Sequence, residues 1–74
     1  MTNIDIPADL NQVDETGLVW TFLDGARAPE LITPGAIVVT GDPDEPADAQ
    51  VVDLVNQNTR TVVHLRILSY PLEG

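Results

Sequence analysis

The chain has no cysteine, no lysine and few aromatic side chains: one Trp, one Phe and one Tyr among 74 residues. The absence of cysteine excludes disulfides, zinc–thiolate sites and thiol catalysis. Three arginines stand against 12 acidic residues, so the formal net charge is −9. Nucleic acids and anionic membranes attract proteins through cationic side chains. The charge therefore predicts that neither is a partner.

Long apolar runs and a secretion signal are also missing. The longest uninterrupted apolar run covers residues 36–39, whereas a membrane-spanning helix needs about 20 apolar residues. The first residues lack the cationic region and the apolar stretch of a signal peptide. We therefore expect a cytoplasmic protein.

Hydrophobic residues nevertheless make up 43% of the chain, which is more than a disordered acidic tail contains. Most of them are valine, leucine and isoleucine, and branched side chains favour β-strands. A chain of this length forms one domain with a shallow core, and its stability is expected to be about 3–5 kcal/mol.

Four segments have the pattern of β-strands: residues 18–23, 36–41, 49–55 and 61–68. A helix that continues to Arg27 is the alternative for the first of them. The turn signal formed by Asp24 and Gly25 favours the strand.

The rest of the chain is predicted to be arm, loop and tail. Residues 1–17 form a loosely ordered N-terminal arm, residues 18–71 form the domain, and residues 72–74 form a tail. Residues 42–48 hold two prolines and four acids. Because proline lacks a backbone donor and the acids repel one another, we exclude this segment from any central strand.

The last two strands are predicted to pair as a hairpin, because a short polar linker at residues 56–60 separates them. Directly opposed residues share a face of the sheet. With Asn56 opposite Thr61, two pairs face the core: Leu54 with Val63 and Val52 with Leu65. Two pairs face outward in the same register: Asp53 with His64 and Val51 with Arg66.

Strands in this order predict an antiparallel sheet of four to five strands that curls into a small barrel, since closure removes exposed edges. The long first loop, followed by a turn and a strand, resembles the SH3-like barrels. Residues 32–67 also resemble a KOW-type element through the following residues: Pro34 and Gly35 in a type II turn, Val38 and Val39 in a strand, and Gly41 at its end. The resemblance implies an SH3-like fold. The chain departs from the KOW pattern at residues 42–48, where acids replace glycine and basic residues, and this argues against RNA binding.

The acidic segment is the most prominent candidate site. Its carboxylates are Asp42, Asp44, Glu45 and Asp48. A Ca²⁺ or Mg²⁺ site is one interpretation, but the segment fails as an EF-hand loop because Ala47 stands where that loop needs glycine. The other interpretations are a solvated loop that discourages aggregation and a docking loop for a basic partner.

His64 is the only histidine, and the predicted hairpin places it opposite Asp53 on an exposed face that Arg66 shares. Catalysis by His64 would need a nucleophile and an orienting acid in a cleft, and no hydroxyl near it in the sequence lies in a recognisable motif. The simpler interpretation is a surface ion pair worth about 0.2–1 kcal/mol.

Trp20 and Phe22 alternate along the first strand, so they share a face. In a chain with so few rings, we predict that they form the centre of the core. A groove for proline-rich peptides is the alternative, but the first loop carries no ring.

These observations favour a non-enzymatic protein-interaction or regulatory accessory module that binds another protein, in particular a basic one, without cofactor or metal. The predicted interaction surface comprises Asp42, Asp44, Glu45, Asp48, Asp53, His64 and Arg66. The alternatives are a nucleic-acid mimic or antitoxin-like neutraliser of a basic partner, and a small enzyme or ligand-binding barrel assembled as a homo-oligomer. GC-rich coding or a saline environment would also explain the acidity without any function.

Overall fold

A computed structural model of the chain describes residues 3–69. The strands are β1 (Ile6–Pro7), β2 (Val19–Phe22), β3 (Ile37–Gly41), β4 (Pro46–Gln57) and β5 (Arg60–Ser69). Two short 3-10 turns, Leu23–Gly25 and Pro29–Leu31, lie between β2 and β3. The strands form one curled sheet in the order β1-β3-β4-β5-β2, so the mostly β prediction is confirmed. The predicted tail at residues 72–74 lies outside the described residues, as does the end of the predicted domain at residues 70–71. Within residues 3–69, no helix has the length and apolar character needed to cross a bilayer.

The sheet is mixed, whereas the expected barrel was antiparallel throughout. β1 runs parallel to β3, and every other neighbouring pair is antiparallel. The prediction of a loosely ordered N-terminal arm is wrong for this segment, because Ile6 is 0% exposed. The Thr40 hydroxyl donates to the Ile6 carbonyl at 2.7 Å, and the Asp5 carboxylate accepts from the Val39 N–H at 2.8 Å. Burial and these bonds attach the arm to the free edge of β3.

The β4–β5 hairpin has the predicted register over its first half. Asn56 lies opposite Thr61, Leu54 opposite Val63 and Asp53 opposite His64. Beyond this point a bulge inserts Val52 into β4, and a bulge shifts the pairing by one residue.

The bulge makes two predicted pairs wrong. Val51, not Val52, lies opposite Leu65, and Gln50, not Val51, lies opposite Arg66. Val51 therefore faces the core and is buried, while Val52 is only half-buried.

β4 begins at Pro46, within the segment that was excluded from any central strand, although β4 lies at the centre of the sheet. Pro46 occupies the first position of the strand, opposite Gly41, where a missing donor is tolerated. Ala47 and Ala49 face the core and Asp48 is exposed. The small alternating residues explain why the acidic segment can enter the sheet.

The core is aliphatic. Its buried cluster consists of Ile6, Val19, Ile32, Val38, Ala49, Val51, Val63 and Leu65. The prediction that Trp20 and Phe22 form its centre is wrong. Because Val19 faces the core at 1% exposure, the alternation of the strand directs both rings to the opposite side of the sheet.

We call this opposite side the outer face. It carries Trp20 and Phe22 of β2, Val62 and His64 of β5, and Asp53 and Val55 of β4. The prediction that the two rings share a face is confirmed, and so is the outward orientation of Asp53 and His64.

The predicted turn at Pro34 and Gly35 is present. The Ala36 N–H donates to the Thr33 carbonyl at 2.9 Å, and Gly35 has a φ of +91°, as the third residue of a type II turn requires.

Candidate functional site

A row of functional side chains crosses three strands of the outer face. Trp20 of β2 lies opposite His64 of β5, and His64 lies opposite Asp53 of β4. The strand pairings alone place these three residues side by side, because opposed residues in an antiparallel pair are close neighbours.

His64 lies between two carboxylates. Its Nδ1 is 2.6 Å from Asp53 Oδ1, and its Nε2 is 3.5 Å from Asp14 Oδ2. A carboxylate only accepts hydrogen bonds, so the short contact assigns a proton to Nδ1. The other ring nitrogen, Nε2, faces the second carboxylate, Asp14 Oδ2.

Asp14 precedes β2 and is held in place by its own loop. Its Oδ1 accepts from the Thr16 hydroxyl at 2.5 Å, the Thr16 N–H at 2.9 Å and the Leu18 N–H at 3.1 Å. The Thr16 hydroxyl is the main cause that lowers the pKa of Asp14, and the two backbone N–H groups add to it against the opposing effect of burial. Oδ1 is fully used, whereas Oδ2 has only the long contact with His64.

A shallow groove of about 200 Å³ lies at this point of the outer face. It is lined by Asp14, Trp20, Gln57, Val62 and His64. The groove therefore brings together an aromatic residue, an acidic residue and the histidine.

A second ring on the outer face already binds a cation from the chain itself. The guanidinium carbon of Arg60 lies 3.5 Å from the centre of the Phe22 ring. The same guanidinium donates to both carboxylate oxygens of Asp24, at 3.2 and 3.3 Å. Phe22 packs edge-to-face on Trp20, with ring centres 5.6 Å apart and planes at 86°. The two rings are thus neighbours, and each has a carboxylate beside it.

The acidic loop, residues 42–45, connects β3 and β4 at one end of the sheet. Asp42 Oδ1 accepts from the N–H groups of Asp44 and Glu45, each at 2.8 Å. Gly41 enters the loop with a φ of +92°. All four loop residues are exposed, and a groove of about 500 Å³ separates the loop from residues 7–11, where Asp9 adds another carboxylate.

The predicted interaction surface is divided between two places. Asp42, Asp44 and Glu45 lie in the acidic loop, whereas Asp53 and His64 are hydrogen-bonded to each other on the outer face. Asp48 lies in β4 three residues after Glu45 and accepts from the Ser69 hydroxyl at 3.2 Å. Arg66 is exposed on the outer face, as predicted, two residues beyond His64 in β5 and opposite Gln50.

Sequence reasoning missed Asp14, and it favoured the core over the outer face as the position of Trp20, which is half-buried. Asp14 was assigned to a loose arm, and only its spacing from Thr16, which is typical of an Asx turn, signalled a fixed carboxylate. Across the described part of the chain, no three His, Asp or Glu side chains are grouped so as to hold a metal ion.

Comparisons with protein-family models, with curated proteins and with solved structures gave no match to this chain. The function is therefore argued from the geometry of the site.

Proposed function

We propose that the protein is a non-enzymatic interaction or regulatory accessory module in which the acidic loop docks onto a cationic partner protein. One observation carries this proposal: the loop carboxylates are exposed and unpaired with cations. In residues 3–69, the carboxylates within 4 Å of an arginine or histidine nitrogen are those of Asp14, Asp24 and Asp53, and none belongs to the loop.

The shape of the loop supports the same proposal. Bonds from the backbone N–H groups of Asp44 and Glu45 fix the Asp42 carboxylate, so the loop backbone and one of its charges are held in place before any partner arrives. Binding then costs less ordering entropy. A concentrated negative potential also accelerates the encounter with a basic surface.

The proposal places this encounter in the cytoplasm. It also treats the curled sheet as a divergent SH3-like barrel, because β3, β4 and β5 follow one another as an antiparallel meander. In this interpretation β1 covers the edge of β3 that closure of a barrel would otherwise protect.

Affinity capture from the native host at low salt, with elution by a salt gradient, tests the proposal. The informative variant carries Asp44→Asn and Glu45→Gln, which remove charge and keep shape without touching the Asp42 bonds. The matched control carries Glu15→Gln and Glu30→Gln, which remove the same charge from exposed positions elsewhere.

We expect the wild-type protein to retain a basic partner that salt releases, the loop variant to release it at lower salt, and the control variant to behave like the wild type. Retention that does not respond to salt, or an equal effect of both variants, would contradict docking by the loop. Release of the partner by added DNA would favour the alternative of a nucleic-acid mimic.

A further inference from the structure

We propose that the groove beside Trp20 on the outer face binds an arginine side chain of the cationic partner. The inference rests on the proposed function for the identity of the partner as a cationic protein. It concerns a different surface from the acidic loop, so the two can fail separately.

Asp14 has one carboxylate oxygen that is little used. Its Oδ1 accepts hydrogen bonds from the Thr16 hydroxyl and from the N–H groups of Thr16 and Leu18. Its Oδ2 has only the 3.5 Å contact with His64 Nε2. A carboxylate oxygen accepts hydrogen bonds and donates none, so Oδ2 can accept from the N–H groups of a ligand in the groove.

The shape of a guanidinium also fits this groove. A guanidinium is a planar fork of N–H groups that can donate to two acceptors at once. Asp14 and Trp20 line the same groove, so a guanidinium there can donate to the Asp14 carboxylate while it lies against the Trp20 side chain. A lysine ammonium is a point charge without this planar fork. An anion would meet the carboxylates of Asp14 and Asp53 and is disfavoured.

The aromatic ring of Trp20 also favours a cationic ligand. Trp20 lines the same groove, and indole is the best aromatic partner for a cation held over its face. The neighbouring ring demonstrates this chemistry within the chain, since Phe22 and Asp24 together hold the guanidinium of Arg60. Trp20 and Asp14 repeat the combination of a ring and a carboxylate without a guanidinium from the described chain.

Two features of the sequence make the test clean. Trp20 is the only tryptophan and His64 is the only histidine, so tryptophan fluorescence and imidazole ¹⁵N signals each report on this groove alone. The probe is N-acetyl-arginine methylamide, titrated into the full chain at neutral pH. The matched probe is the citrulline analogue, which has nearly the same shape but no charge.

We expect a saturable change in both signals with a Kd of about 1 mM, as befits a single side chain. Binding of the citrulline probe should be at least about tenfold weaker, and the lysine analogue should also bind more weakly than arginine. Equal responses to arginine and citrulline would overturn the proposal. So would no saturation at about ten times the expected Kd, because the groove would then have no specific affinity for a guanidinium.

The key variant is Asp14→Asn. An amide oxygen can still accept from Thr16 and Leu18, so the loop keeps its main bonds while the charge is lost. We expect the arginine affinity to fall at least about fivefold, which is about 1 kcal/mol. Should Asp14→Asn disturb the loop, Trp20→Leu gives a second test through the ¹⁵N signals of His64, which should then no longer respond to arginine. An unchanged affinity in a folded variant of either kind would overturn the proposal.

The variant with Asp44→Asn and Glu45→Gln separates the two proposals. It should bind the arginine probe as the wild type does, because neither residue lines this groove. Arginine binding without loop-dependent retention of a partner would contradict the proposed function alone. Loop-dependent retention without a response to arginine would contradict the groove alone.

Discussion

The substitution Gly41→Ala tests how the acidic loop is held. Gly41 has a φ of +92°, and a Cβ added there would lie 2.3 Å from the carbonyl oxygen of Glu45. An ordinary contact needs about 1.1 Å more, so the backbone across the loop must move. The positive φ adds about 1–3 kcal/mol for a residue with a side chain.

Gly35→Ala is the matched control, because Gly35 has nearly the same φ of +91° but nothing lies within 4 Å of its added Cβ. The control therefore bears only the cost of the backbone conformation. We expect Gly41→Ala to cost at least about 1 kcal/mol more than Gly35→Ala, out of a total stability of about 3–5 kcal/mol.

Urea unfolding followed by circular dichroism measures this difference. For a small domain the urea dependence is about 1 kcal/mol per molar, so the midpoint of Gly41→Ala should lie about 1 M below that of Gly35→Ala. Equal midpoints for the two variants would refute the close approach of Gly41 to Glu45.

Three further predictions follow from the packing and the charges. Leu65→Ala should lower the free energy of unfolding by about 2–5 kcal/mol in the same urea assay. This loss should exceed that of Trp20→Ala, because Leu65 is fully buried and Trp20 lies outside the core. A larger loss of stability for Trp20→Ala would contradict the aliphatic core. The folded-state pKa of Asp14 lies below its ordinary value of 3.8, so its contribution to stability is present above that pH and is lost as the pH falls through the folded pKa. Unfolding of Asp14→Asn across acid pH should accordingly show a weaker pH dependence than the wild type. Arg60→Gln should cost no more than about 1 kcal/mol, because Arg60 and Asp24 are both exposed, and added salt should shrink the difference in melting temperature.

The hairpin could be predicted because its information is local. A polar linker and strict alternation set the pairing of Asn56 with Thr61, and the structure keeps that pairing as far as Asp53 and His64. The bulge at Val52 could not be read from the sequence, because Val51 and Val52 are identical in side chain. Either side chain can face the core, and the bulge at Val52 places Val51 there, opposite Leu65.

The position of the rings failed for a different reason. Alternation states which residues share a face, but it does not state which face is buried. β2 is apolar on both sides, with Val19 on one and Trp20 and Phe22 on the other. We predicted the rings in the core because they are the largest side chains of the strand. In the structure, branched aliphatic side chains fill the small interior instead.

The pairing of β1 with β3 has no local signal at all. It joins Ile6 to Thr40 across 34 residues, and a two-residue strand that ends in Pro7 carries almost no periodicity. Asp14 was missed as well, because its contact with His64 of β5 joins residues 50 positions apart in the chain.

Quenching of Trp20 fluorescence by acrylamide in the native protein tests the central claim, that the ring-bearing side of the sheet is displayed for recognition and the core is aliphatic. We expect acrylamide to quench Trp20 substantially before any unfolding, and the arginine probe to protect it. If acrylamide reached the tryptophan only after the protein unfolds, Trp20 would belong to the core and not to the outer face.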